Sequence, residues 1–163
     1  MDIRVLTKIS IFTVILSILS IISIPIPFGV PLTLQTFGVA LCGFILGKKN
    51  GTICIAIYIL LGAIGIPIFS GMSGGFSKIF GLNGGFIFGF LFLAFFSGFK
   101  KNTFSFLGLF ICHILGIIQF SFISKISFKE GFLIVSLPYI LKDIISIILA
   151  YMFKKMLFKR IKI

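Results

Sequence analysis

Acidic residues are nearly missing from this chain. Of 163 residues, three are Asp or Glu, one is His and none is Trp. Charged residues of both signs make up 11%, against roughly 25% in globular proteins. A water-soluble fold of this length needs a polar face on every element, and the residues to build one are not there. A Walker-type phosphate loop is also absent, which excludes ATP hydrolysis by the chain itself. Cys42, Cys54 and Cys112 lie inside apolar runs with no CxxC spacing and no Cys/His cluster, so neither disulfides nor a metal site is expected. No His/Asp/Glu or Ser/His cluster falls within an apolar run, which makes a membrane enzyme the weakest functional class. The first apolar run follows Arg4 and Lys8, but no small-x-small cleavage site comes after it. It is therefore expected to be a retained span rather than a signal peptide.

What is present is apolar: 59% of the residues are hydrophobic. At about 20 residues per span, the chain has room for roughly six spans and for no separate soluble domain. An all-α membrane protein forming a single domain over residues 1–163 is expected. The spans fall at about 5–24, 31–47, 52–66, 85–99, 103–123 and 127–153. Pro25, Pro27 and Gly29 should break the chain after the first. Lys48-Lys49-Asn50-Gly51 should make a tight turn between the second and third. Ser127 and Glu130 have capping-box spacing and should start the last helix, with Pro138 kinking it. Residues 65–85 are too glycine-rich for a helix and too apolar for a solvated linker. Irregular backbone of this kind is tolerated at membrane depth only where protein buries it or it lines a cavity. It should fold back as a lid or re-entrant loop.

The net charge of +12 does not mark a nucleic-acid surface, because the basic residues sit in short pairs between apolar runs. They read as topology signals. Eleven, including Lys48, Lys49, Lys100, Lys101, Lys154, Lys155 and Lys162, fall on the side holding both termini, against Lys78, Lys125 and Lys129 on the other. Positive residues mark the cytoplasm, so both termini should lie inside and the glycine-rich segment outside.

Lys142 and Asp143 are the one charged pair inside a span, and an ionisable residue at that depth is a functional candidate by default. Adjacent helical residues point about 100° apart, so one should face a cavity while the other snorkels or pairs elsewhere. His113 reads better as a packing histidine than as a proton relay, since no carboxylate lies within a turn of it. Gln119 can either reach a cavity or bond a neighbouring helix. Ser10, Thr13, Ser17 and Ser20 form a small-residue stripe along the first span. Such a stripe either docks a partner membrane subunit or packs within the chain.

Several segments resemble a known family. PLTLQTFGV at 31–39 resembles the PxTLQT segment of the BioY family of biotin transporter substrate-binding proteins. ALCGFILG at 40–47 is similar to its LAGxLLG run, and YILLGAIGIPIFSG at 58–71 to its YLxLGxxGxPVFAG segment. Gly74-Gly75 with GLNGGF at 81–86 resembles its GG…GPTGGY stretch, and LPYILKD at 137–143 its LPFIPGD. The resemblance implies a six-helix substrate-capturing (S) component of an energy-coupling factor (ECF) transporter, with biotin as ligand and no cofactor. Its implied partners are a transmembrane coupling subunit and two ATPases, the S component toppling in the lipid when engaged. Asp143 would accept from the ureido N–H groups, Gln35 and Asn83 would offer donors and acceptors, and Lys78 or Lys142 would meet the carboxylate. Tyr58, Ser146 and Gln119 are further candidates for the binding site. The chain departs from the family at Leu82-Asn83 (for PT), at Lys142 (for glycine) and at Ser146 (for lysine). An S component for thiamine or a queuosine precursor, or a scaffold subunit with no ligand, are the alternatives. A cationic ligand would want aromatic stacking, and tryptophan is absent.

Overall fold

The computed structural model describes residues 2–24 and 31–161. Pro25, Pro27, Gly29 and Lys162 lie outside the described residues. The fold is helical: α1 (Ile3–Ile21), α2 (Gln35–Ala63), α3 (Phe76–Ile79), α4 (Gly84–Ser97), α5 (Phe104–Ser124), α6 (Phe128–Val135) and α7 (Leu137–Ile161). β1 (Ser23–Ile24) and β2 (Leu32–Thr33) form a short antiparallel ribbon between α1 and α2. That ribbon ends the first helix before residue 24 and delays the second past residue 31, because its residues hydrogen-bond across strands instead of along a helix. By length and composition, α1, α2 and α5 can each cross a membrane, and α6 with α7 makes a fourth candidate bent by 51°.

α2 is not one straight rod. Gly47 sits at φ 78°, ψ 171°, a region open essentially to glycine alone. The chain turns back there. A Cβ on Gly51 would come within 2.9 Å of the Gly43 Cα, and Cys42 Sγ lies 3.8 Å from Cys54 Sγ. On a straight helix twelve residues would separate those cysteines by about 18 Å. The polar turn expected over Lys48–Gly51 is thus a one-residue break at Gly47, and Lys48 to Asn50 are already helical.

α6 starts from a reciprocal capping box. Ser127 Oγ accepts from the Glu130 N–H (3.3 Å), and the Glu130 carboxylate accepts from the Ser127 N–H (2.8 Å). The bend expected at Pro138 occurs at Ser136, two residues earlier. Pro138 occupies the first turn of α7, where its missing N–H leaves no helical bond unmade.

α1 packs on α2, α2 on α4 and α7, α4 on α5, and α5 on α6. α4 and α5 are close enough that a Cβ on Gly89 would fall 2.6 Å from the Cys112 Cα. The core contains Ile9, Leu16, Val39, Cys54, Ile55 and Leu93, all fully buried. The outer surface stays apolar, with Phe110, Phe122 and Leu141 at 63%, 84% and 70% exposure. An apolar exterior of this extent fits lipid rather than water, and the chain is a membrane protein.

The small-residue stripe on α1 faces inward. Thr13, Ser17 and Ser20 are buried, and their hydroxyls donate to the carbonyls four residues back. Thr13 also lies 3.3 Å from Cys54 Sγ. Only Ser10 is exposed. Of the two roles open to the stripe, docking and packing within the chain, burial of three of its four residues favours packing, with Thr13 against α2.

Candidate functional site

The site lies where α2, α4, α5 and α7 converge beneath the glycine-rich segment. Its centre is Asp143, 6% exposed. A buried carboxylate is tolerated only with partners, and donors reach Asp143 from three helices. From α2, Thr36 Oγ donates to Oδ1 at 2.6 Å. From α7, Lys142 Nζ pairs with the same oxygen. From α5, His113 Nε2 lies 3.2 Å from Oδ2. Two expectations are corrected here. Lys142 does not diverge from its neighbour: its flexible stem curls back onto the adjacent carboxylate, with Nζ also 3.5 Å from the Thr33 carbonyl. His113 does have a carboxylate partner, brought from another helix rather than from its own.

Gln35 opens α2 and is buried beside this network. Its Oε1 accepts from Thr33 Oγ (3.1 Å), and its Nε2 donates to the Tyr58 hydroxyl (2.8 Å). Tyr58 in turn donates to the Ile68 carbonyl (3.2 Å). Tyr58 is fully buried and stacks edge-on against Phe69, so it holds Gln35 and the glycine-rich segment without lining the cavity. The cavity is lined by Gln35, Asn83, Lys142 and Asp143 among the expected residues. Thr33, Thr36, Phe69, Phe86, His113 and Tyr139 line it as well. It encloses about 50 Å³.

The other expected residues stand elsewhere. Lys78 is exposed on α3, away from the cavity. Ser146 is buried one turn beyond Asp143 and does not line the cavity either. Gln119 donates to the carbonyls of Ile79 (2.9 Å) and Gly81 (2.7 Å). Of its two open roles, it fills the one of bonding neighbouring structure, pinning the glycine-rich segment to α5.

That segment forms the roof. It is irregular, as expected, apart from the single turn of α3. Gly65, Gly71 and Gly75 have positive φ, and a bridge joins Phe69 to Ser73. The Gly75 N–H donates to the Gly62 carbonyl at 2.7 Å, which ties the roof to the end of α2. Phe69, Ser70 and Asn83 face the cavity from it.

Thr33, Thr36, Phe69, Phe86, His113 and Tyr139 line the cavity although the sequence alone did not assign them to a site. The two threonines sit within the PLTLQT segment that also supplies Gln35, so the motif carried the signal. For His113 the sequence carries none, since its partner lies thirty positions away.

The chain matches the BioY family over residues 1–162. It is 36% identical over 156 residues to the biotin transporter BioY of Thermotoga maritima, covering 90% of this chain and 91% of that protein. It is 35% identical over 150 residues to a probable biotin transporter BioY of Pyrococcus horikoshii, with the same coverage of 90% and 91%. Among solved structures, it resembles the S-component for biotin from an ECF-type ABC transporter, with a TM-score of 0.87 and 31% identity. That match covers 96% of this chain and 92% of the other.

Proposed function

The chain belongs to the BioY family, and from that premise we propose that it is the membrane-embedded biotin-binding subunit of an ECF-type uptake transporter. The observation that carries the reading is Asp143: one buried carboxylate, oriented from three helices, facing a cavity under a glycine-rich roof. A ureido ring presents two N–H donors and one carbonyl acceptor. Asp143 takes one donor. The Asn83 side chain, which makes no hydrogen bond among the described residues, has an amide free for the remaining ureido groups. Phe69, Phe86 and Leu109 supply apolar wall for the ring sulfur and alkyl chain. Lys142, 30% exposed at its side chain, is paired with Asp143, so its charge is committed to the carboxylate that would hold the ureido end. Buried groups of this kind reject analogues that cannot pair with them.

Lys142 also speaks against a cationic vitamin such as thiamine. It already neutralises Asp143, so a second cation would find no unpaired anion in the cavity. The enclosed 50 Å³ holds water but falls short of the roughly 300–1,000 Å³ of small-molecule sites. The cavity therefore has to widen to take a ligand, and the irregular roof carrying Phe69, Ser70 and Asn83 is a part of its lining not built into a long helix.

The reading extends to topology and partners. Folding at Gly47 makes α2 a pair of spans; α1, α4, α5 and the bent α6–α7 bring the total to six, with both termini cytoplasmic and the glycine-rich roof outside. The protein sits in the cell membrane and hands its ligand on through a transmembrane coupling subunit driven by two ATPases. Cells lacking their own biotin uptake test this. They should accumulate labelled biotin when the chain is expressed with that coupling module, and should fail when the ATPases are inactivated. Accumulation of thiamine but not biotin would overturn the ligand assignment.

A further inference from the structure

The polar network does not stop at the groups that face the cavity. His113 is 6% exposed and forms a wall between two spaces. On one side is the ligand cavity. On the other is an apolar cleft of about 390 Å³ between α5, α6 and α7, in which His113 and Ser136 are the only polar lining residues among those described. Phe86 of α4 meets the imidazole edge-on, 5.8 Å between centroids at 87°. The ring nitrogens point in opposite directions. Nε2 lies 3.2 Å from Asp143 Oδ2, and Nδ1 lies 2.8 Å from Ser136 Oγ, at the break between α6 and α7.

Charge and hydrogen-bond counting select one state of the ring. Asp143 and Lys142 already cancel. The other acids among the described residues, Asp2 and Glu130, are exposed. An imidazolium would thus place a second cation on one carboxylate in a buried site, with no further anion to balance it. A ring protonated only on Nδ1 would set the bare Nε2 against Oδ2, two acceptors facing each other. The neutral ring with its proton on Nε2 satisfies everything: Nε2–H donates to Oδ2, and the Ser136 hydroxyl donates to Nδ1.

We propose that His113, oriented by Ser136, is the positioning residue for Asp143. A carboxylate offers about four lone-pair directions. Thr36 and Lys142 occupy those of Oδ1, and His113 occupies one of Oδ2, so a single direction stays open toward the cavity. His113 thereby decides which Asp143 oxygen meets the ligand and fixes the number of ligand N–H groups it accepts at one. This rests on the reading of Asp143 as the ligand acceptor.

The test uses the full chain in detergent and exploits His113 being its one histidine. With ¹⁵N-histidine labelling, the spectrum of the ligand-free protein should show a neutral ring, protonated on Nε2 and bare on Nδ1. Ser136→Ala should move the Nδ1 resonance while Nε2 keeps its proton. An imidazolium, or a ring protonated on Nδ1, overturns the proposal. Biotin binding gives a second readout. His113→Gln keeps a donor where Nε2 stood and should lose less than about threefold in affinity. His113→Phe keeps the ring but no donor, and His113→Asn places its donor short. Both leave Oδ2 unheld with a second open direction, and both should bind biotin several-fold more weakly than His113→Gln does. Phenylalanine binding as well as glutamine, or better, would show that ring shape alone matters. If the wild-type chain binds no biotin, the functional reading fails, and the ligand-free spectrum still decides the tautomer.

Discussion

Replacing Asp143 by asparagine perturbs the site with the smallest change in shape. The carboxylate takes Thr36 and Lys142 on one oxygen and His113 on the other. An amide keeps one oxygen. If that oxygen faces Thr36 and Lys142, its NH₂ points at the His113 N–H and at any ligand N–H, donor against donor. If the amide is turned over, its NH₂ meets the Lys142 ammonium, which has no lone pair to offer. Either way the ligand loses a charge-assisted bond worth about 1.5–3 kcal/mol, so biotin affinity should fall by roughly ten- to a hundred-fold. Fold stability should fall too, by about 1–3 kcal/mol, because a buried partner of Asp143 is left facing a donor; Lys142 adds little, since its side chain is 30% exposed and can reach solvent. Adding Lys142→Met removes the orphaned ammonium and should recover part of the melting temperature without restoring affinity. Calorimetric titration with biotin and thermal unfolding in the same detergent separate the two effects. A well-folded Asp143→Asn protein with unchanged affinity would refute the assignment and shift it to Gln35 and Asn83.

Three further outcomes follow from the geometry. Gln119→Leu removes both bonds that pin the roof at Ile79 and Gly81; the fold should persist while biotin dissociates several-fold faster in a stopped exchange assay. Gly47→Ala forces a Cβ into a backbone region that costs about 1–3 kcal/mol for other residues, so thermal unfolding should occur earlier; an unchanged melting temperature would mean the hairpin does not depend on that conformation. In a variant lacking the three native cysteines, a membrane-impermeant thiol reagent added to intact cells should label Lys125→Cys but not Asn50→Cys, and the reverse pattern would invert the topology.

Much of the helical plan is legible along the chain because each part depends on neighbouring residues. Apolar runs separated by Lys-Lys pairs give α4 and α5 nearly to the residue. The Ser127–Glu130 capping box needs only three-residue spacing. The glycine-rich roof is visible from composition. What escapes is set by packing at a distance. The β1–β2 ribbon brings Ser23 opposite Thr33, and nothing in either dipeptide announces the pairing. The turn shifted from Lys48–Gly51 to Gly47 because a single residue with positive φ suffices to reverse a helix pair. Asp143 could be singled out because burying a carboxylate is costly at any depth. Its partners Thr36 and His113 lie 107 and 30 positions away and are joined to it only by the crossing of three helices. The stripe from Ser10 to Ser20 marks a close helix contact, but periodicity alone does not say with which helix. Burial of Thr13, Ser17 and Ser20 favours packing within the chain, with Thr13 against α2.

Equilibrium binding of labelled biotin to the purified chain, in detergent and without coupling subunits or ATP, tests the central claim most directly. Saturable binding at one site per chain, displaced by unlabelled biotin but not by thiamine and weakened at least tenfold by Asp143→Asn, is the predicted result. A folded, monodisperse chain that binds no biotin, or that binds it equally well without Asp143, would contradict the account.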